Sequence, residues 1–297
     1  MKNKLFPYFV LFFGVCIVST AALIIRHLQA QNISSIAIAA VRLSFAALIL
    51  SPFVLVKFKE DLRNLTKVQL SKAFFAGFFL AVHFGTWITS MEYTSVSSSA
   101  ALVSTTPIWV AVFSIFIFKE KLAKYTAWGI LVSIIGSGII FLSDKSNSTN
   151  GLTNPFLGNS LALCGAAGMC FYLLIGRELS RQMNLWVYVW LVYGSAAFCL
   201  SLTMLTAGIE LQKLPAVLYT MCLLLALGPQ LLGHTSYNWS MRHLSPVFIS
   251  IAILGEPVFT AILAGLFLNE SLQSLQIAGF IILFIGIILA LFGEKTT

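Results

Sequence analysis

The chain has 297 residues, of which 59% are hydrophobic and only 9% charged, and its formal net charge is +8. A soluble domain carries roughly a quarter charged residues, so this composition excludes a water-soluble globular protein and leaves a lipid bilayer to cover most of the surface. The positive balance does not point to nucleic acid, because the basic residues stand in short stretches between long apolar runs, as positive-inside membrane topology requires.

A helix needs about 20 apolar residues to cross the hydrocarbon core. On that measure the chain predicts ten spans. The first five are Leu5–Ile25, Ser35–Val56, Lys72–Met91, Val96–Phe118 and Tyr125–Leu142. The second five are Phe156–Gly176, Leu185–Ala207, Ala216–Ser236, Leu244–Leu268 and Leu275–Phe292. The first run follows Lys2 and Lys4 but is longer than the apolar core of a signal peptide, and Ser19-Thr20-Ala21 is a poor cleavage site, so it reads as an uncleaved helix. Cys16, Cys164, Cys170, Cys199 and Cys222 all lie inside apolar runs and form no C-x-x-C pair, so neither a disulfide framework nor a zinc site is indicated.

Charge tests the count. With the N-terminus inside, fourteen basic residues fall on the cytoplasmic side: Lys2, Lys4, Lys57, Lys59, Arg63, Lys67, Lys72, Lys119, Lys121, Lys124, Arg177, Arg181, Arg242 and Lys295. Only Arg26, Lys145 and Lys213 fall outside, and Arg42 alone lies within a helix. An odd number of spans would scramble this bias, so both termini are expected in the cytoplasm of a cell whose inner membrane holds the chain.

The sequence also repeats. Shifted by 150 positions, Pro107 meets Pro257, Ala111 meets Ala261, Glu120 meets Glu270, Leu122 meets Leu272, Gly129 meets Gly279 and Gly136 meets Gly286. Shifted by 151, Leu23, Ile24, Arg26 and Leu28 fall on Leu174, Ile175, Arg177 and Leu179. The expected organisation is a five-helix repeat over residues 1–143, a Ser/Asn/Thr-rich linker over 144–155 and a second five-helix repeat over 156–297. An odd number of spans per copy turns the second copy over. The fold class is therefore an all-α integral membrane protein of ten transmembrane helices as two inverted repeats, a transporter architecture that holds substrate near the midplane.

This pattern resembles the EamA-type members of the drug/metabolite transporter superfamily over nearly the whole chain. The resemblance is carried by Tyr93-Thr94 with the small-residue run Ser97-Ser98-Ser99-Ala100-Ala101-Leu102, by Pro107, and by Lys119-Glu120-Lys121-Leu122 with Gly129 and Gly136. The second copy has Glu256-Pro257, Asn269-Glu270-Ser271-Leu272, Gly279 and Gly286. The resemblance implies a central cavity lined mainly by helices 3, 4, 8 and 9, and movement of small metabolites such as amino acids, their derivatives or drugs.

Polar groups inside lipid-spanning helices are costly and tend to face a cavity. In helix 8, Gln230, His234, Tyr237, Asn238 and Met241 recur at α-helical spacing, and helix 3 offers His83, Trp87, Ser90 and Met91. Trp87 and Tyr237 occupy matched positions of the two copies and are candidates to clamp a flat or apolar substrate; the competing reading for each residue is interhelical packing. Glu256, the one acid inside a span, is read near the middle of helix 9 beside Pro257, and Thr106 stands at the matched position beside Pro107. These prolines are expected to break helices 9 and 4. Glu256 is open to two readings, a substrate-ammonium or proton-coupling site, or a structural acid paired with the intramembrane Arg42. The candidate substrate-binding set is thus Trp87, Thr106, Gln230, His234, Tyr237, Asn238 and Glu256, with Arg42 and Glu256 as the coupling or ion-pair candidates.

Gly129, Ser133 and Ser137 on helix 5, and Ala162, Ala166 and Cys170 on helix 6, form small-residue faces that serve helix packing or pairing of two chains into a homodimer. No nucleotide-binding loop G-x-x-x-x-G-K-[ST], H-E-x-x-H or G-x-S-x-G motif occurs. The expectation is a secondary transporter, an exporter or exchanger working by alternating access, with no cofactor and no metal, its partners being a small-molecule substrate and the bilayer. The alternatives are a membrane-embedded enzyme or a channel using the same polar cavity.

Overall fold

A computed structural model describes residues 5–118, 123–143, 154–210, 214–244, 248–249, 252–253, 255–268 and 272–294. In chain order its first elements are α1 (Phe6–Val18), α2 (Ala21–Gln29), α3 (Ser35–Lys57), a single-turn α4 (Lys59–Arg63) and α5 (Lys67–Tyr93). Then come α6 (Val96–Val103), α7 (Thr106–Phe118), α8 (Lys124–Ser143), α9 (Pro155–Gln182) and α10 (Leu185–Thr206). Last are α11 (Ala216–Leu225), a π-helical stretch (Ala226–His234), α12 (Thr235–Ser240), α13 (Gly255–Phe267) and α14 (Ser274–Glu294). No strand occurs among the described residues.

Among the described residues, seven helices are long and apolar enough to cross a membrane: Phe6–Gln29, Ser35–Lys57, Lys67–Tyr93, Val96–Phe113, Pro155–Gln182, Leu185–Thr206 and Ala216–Ser240. Three shorter apolar helices accompany them, Lys124–Ile140, Gly255–Phe267 and Ser274–Gly286. The chain is a multi-pass membrane protein. Its outer surface carries exposed Phe9, Phe12, Leu48, Phe116, Trp128, Phe198 and Leu266, a distribution that water would penalise and lipid does not. Its interior, conversely, holds Arg42, His83, Gln230, His234 and Asn238.

Helix ends follow local chemistry. Thr66 and Gln69 form a reciprocal capping box at the start of α5, and Asn154 and Asn184 cap α9 and α10 through their side-chain oxygens. The proline positions show a finding that differs from a simple kink. Pro107 is the second residue of α7 and Pro257 the third of α13, so each sits in a first helical turn, where its missing N–H leaves no bond unmade. Glu256 accordingly lies in the first turn of α13 rather than mid-helix. A further break, between α1 and α2, falls at Ser19 and Thr20, whose hydroxyls bond back to Val15 O (2.8 Å) and Ile17 O (2.7 Å) and so compete with the helical ladder.

The main packing pairs are α8 with α14, α5 with α9, and α3 with α10, while α1 lies along the π-helical stretch and α6 meets α13. Glycine sets the closest approaches. A methyl group added at Gly136 would meet the backbone of Leu283 and lie 2.8 Å from Gly279 O; one added at Gly286 would meet Ser133 and lie 2.7 Å from Gly129 O. Close backbone contact of this kind is how helices associate where lipid offers no hydrophobic drive.

Gly136→Ala should therefore destabilise the detergent-solubilised protein by about 1–3 kcal/mol through overpacking, read as a lowered midpoint of thermal unfolding. Gly138→Ala, two residues along, adds a methyl with nothing within 4 Å and should leave the midpoint unchanged. Equal midpoints for the two variants would contradict the assigned crossing.

Candidate functional site

Where the α6–α7 break meets α1, α5, α9, the π-helical stretch and the first turn of α13, the bundle holds a cavity of about 20 Å³, room for about one water molecule. Its polar lining comes from His83 and Trp87 of α5, Ser104 and Thr106 at the break, His234 of the π-helical stretch and Glu256 of α13. Val18, Val103, Met169 and Ile253 supply its apolar walls.

Glu256 is half-buried, and Oε1 accepts a hydrogen bond of 2.5 Å from the Tyr237 hydroxyl. Its place in the first turn of α13 also sets the carboxylate at the positive end of the helix dipole. His83 donates through Nδ1 to Gly165 O at 2.9 Å, which leaves Nε2 as the acceptor of a neutral ring. Its ring stacks on Trp87 (centroids 5.9 Å apart, 12° between planes) and stands 6.4 Å from the His234 ring. The two imidazoles thus come from opposite halves of the chain and face one another across the site. Trp87 Nε1 and His234 Nδ1 are buried and have no hydrogen-bond partner among the described residues.

Beside this cavity lies a second polar cluster. Arg42, fully buried on α3, donates from Nη2 to Gln230 Oε1 at 2.9 Å and lays its guanidinium on the Phe84 ring, 4.3 Å from the centroid. Asn238 accepts from the Tyr172 hydroxyl (2.5 Å) and donates to the Tyr193 hydroxyl (3.3 Å). Tyr193 also contacts Thr235 Oγ1 at 3.1 Å and Gln230 O at 3.4 Å. A buried run of hydrogen bonds therefore leads from Tyr172 through Asn238 and Tyr193 to the Gln230 backbone carbonyl, while the Gln230 side chain holds Arg42.

Of the residues singled out from the sequence, Trp87, Thr106, His234 and Glu256 line one cavity, and Tyr237 stands directly behind Glu256. Gln230 and Asn238 point elsewhere, to Arg42 and to the two tyrosines. For Gln230 the cause is the π-helical stretch Ala226–His234, which contains Pro229 and whose wider turn takes Gln230 and His234 off the α-helical face they would share, whereas Asn238 lies beyond it on α12. Arg42 and Glu256 form no ion pair with each other. The ion pairs among the described residues are Arg63–Glu60 and Lys72–Glu178, both exposed. Sequence reasoning passed over Phe84, Tyr172 and Tyr193. The two tyrosines carried a usable signal, a hydroxyl in the middle of an apolar span; the phenylalanine carried none.

Comparison with known proteins gives a consistent set of relatives. The sequence pattern of the EamA-like transporter family matches residues 5–142 and again 156–292. A protein of Clostridium kluyveri named an uncharacterized transporter is 26% identical over 69% of this chain and 67% of its own length. The uncharacterized transporter YetK of Bacillus subtilis is 26% identical over 69% of this chain and 62% of its own, so this chain spans about two thirds of the length of either relative. An uncharacterized transporter of Haemophilus influenzae is 24% identical over 82% of both chains. A solved crystal structure shares the fold, with a TM-score of 0.68 at 16% identity over 98% of each chain.

The Tyr237–Glu256 bond generates a stability prediction. Tyr237→Phe removes the donor and leaves a buried carboxylate oxygen without its partner, which costs about 1–3 kcal/mol. Glu256→Gln keeps an acceptor for the hydroxyl and should lower the unfolding midpoint less. A larger loss in Glu256→Gln than in Tyr237→Phe would show that the bond does not hold this corner of the site.

Proposed function

Because the chain belongs to the EamA-like transporter family and is a membrane transporter, we propose that it works by alternating access: two inverted halves, residues 1–143 and 156–297, rock about the cavity between them. The transported solute is a small metabolite, an amino acid or derivative or a drug-like compound, and the chain acts as an exporter or exchanger in the cytoplasmic membrane. Ten helices cross the bilayer, and both termini lie in the cytoplasm.

One observation supports this reading: close contacts between the two halves occur in pairs that the repeat would relate. A methyl at Gly165 would lie 3.2 Å from Thr86, 3.3 Å from Trp87 and 3.4 Å from His83 O; a methyl at Gly14 would lie 2.9 Å from Ser236, 3.1 Å from Tyr237 and 3.2 Å from Gly233 O. The shifts of 150 and 151 that align the copies carry each of the first residues onto its counterpart in the second set. Likewise Gly136 approaches Gly279 while Gly286 approaches Gly129, a crossing that maps onto itself when the halves are exchanged. The two separate family matches support the same division. A two-fold arrangement around a central cavity gives two related conformations of similar energy, which is what a carrier needs to expose one site to either side. The small cavity volume supports an occluded conformation, in which substrate entry requires the halves to part.

Topology gives the first test. On a background lacking native cysteines, Asn150→Cys should react with a membrane-impermeant maleimide outside intact cells and Thr66→Cys should not. Equal reaction of both would sink the ten-span reading. Coupling gives the second. If Glu256 carries the coupling proton, Glu256→Gln in proteoliposomes loses accumulation driven by a pH gradient and keeps exchange of labelled solute without one. Gradient-driven accumulation at the parent's level in this variant would remove Glu256 from the coupling role.

A further inference from the structure

Trp87 in the cavity lining, and Arg42 and Gln230 in the cluster beside it, hold buried hydrogen-bond donors with no partner among the described residues: Arg42 at Nε and Nη1, Trp87 at Nε1 and Gln230 at Nε2. Arg42 is the decisive one. Its single hydrogen bond goes to the neutral amide oxygen of Gln230, and its face rests on Phe84. Neither partner brings negative charge. Glu256 acts on Arg42 only through space, since its carboxylate is bonded to Tyr237 and turned to the cavity. A guanidinium buried without a carboxylate is expensive in a low-dielectric interior, and its planar fork matches a carboxylate in two-point contact. An intramembrane charge of this kind marks a ligand or ion pathway.

We infer that the solute bound in this cavity carries a carboxylate group and that Arg42 is its counter-ion. The inference rests on reading the cavity as the substrate site and adds the chemical class of what enters it. The unmet groups on these three side chains all donate, so they suit an oxyanion, with its several lone pairs. The first turn of α7 at Thr106 adds a positive dipole end to the same lining. Phe84 and His234 form the partition between cavity and guanidinium: the Phe84 ring touches Arg42 on one side and stands 5.1 Å from the His234 ring, edge to face, on the other. Opening of the cavity past Phe84 brings the carboxylate to the unmet Nε and Nη1 groups. Trp87, stacked on His83 within the lining, offers its Nε1–H to the same group.

The test compares acids with their neutral isosteres on the purified full-length chain in detergent. Unfolding midpoints are followed against benzoate and acetate, with benzamide and acetamide as the matched amides and tetraethylammonium as the cation. The expected result is a saturable rise in midpoint with a carboxylate and none with its amide. Arg42→Gln should weaken that binding at least tenfold, the loss of one strong charge-assisted contact being worth about 1.4 kcal/mol or more. Trp87→Phe keeps the ring, loses the donor and should weaken binding several-fold; it carries the test if Arg42→Gln does not fold. The inference is overturned if neither acid stabilises the parent more than its amide, if both variants that fold bind the acid as the parent does, or if tetraethylammonium alone stabilises the protein. Proteoliposome counterflow separates this failure from that of the wider reading. Carboxylate binding without flux would leave the anion site and remove the cavity as a transport site, whereas flux of a solute lacking an oxyanion, unchanged by Trp87→Phe, would do the reverse.

Discussion

A helix bundle with an apolar exterior gains little from burying more apolar surface, because lipid is as apolar as the neighbouring helix. Close backbone approach must hold such a bundle together. In this protein that constraint is met where Gly129, Gly136, Gly279 and Gly286 bring α8 against α14, and where Gly158, Gly165 and Gly168 bring α9 against α5. The second contact also builds the site. With no side chain on Gly165, its carbonyl can take the Nδ1–H of His83, and Trp87 lies flat beside that ring. Packing and site geometry are therefore one feature of the α5–α9 pair, and a substitution at Gly165 would disturb both.

The interior inverts the usual order of a globular protein. Its polar side chains stand at the centre, and they divide into two groups with different character. From the Tyr172 hydroxyl through Asn238 and the Tyr193 hydroxyl to the Gln230 carbonyl each group holds the next, and the unmet Gln230 Nε2 and Arg42 donors lie beyond that run. The cavity group, by contrast, leaves Trp87 Nε1 and His234 Nδ1 without partners. A saturated network fixes helices, whereas an unsaturated one invites a ligand. The π-helical stretch lies where the two groups meet, with Gln230 in one and His234 in the other. Wide turns of this kind recur at functional positions because they present side chains that a regular helix would hide.

Much of this architecture was legible in the sequence. The repeated Pro and Gly positions rose above the background of interchangeable Leu and Ile because each has a backbone consequence, a helix start or a close crossing; the repeated Glu120 and Glu270 lie outside the described residues. The intramembrane polar residues were legible for a related reason, since lipid tolerates few of them. Their partners were not. Nothing in residues 226–234 except Pro229 marks a π turn, so helical spacing grouped Gln230 and Asn238 with His234 and Tyr237, and the structure separates them. The contact of Arg42 with Gln230 spans 188 positions and depends on the crossing of α3 with the π-helical stretch, which side-chain periodicity cannot report. The α1–α2 break at Ser19 and Thr20 escaped notice because hydroxyls inside apolar runs are common and only sometimes bend a helix.

Under the proposed alternating access, one cavity would serve both faces of the membrane in turn. Ser104 lines that cavity at the α6–α7 break and is buried, so its accessibility reports directly on opening. In a cysteine-free background, Ser104→Cys is treated with a membrane-impermeant maleimide in right-side-out and in inverted vesicles. Alternating access predicts slow reaction in both orientations. Reaction in one orientation only, at any length of exposure, would contradict it.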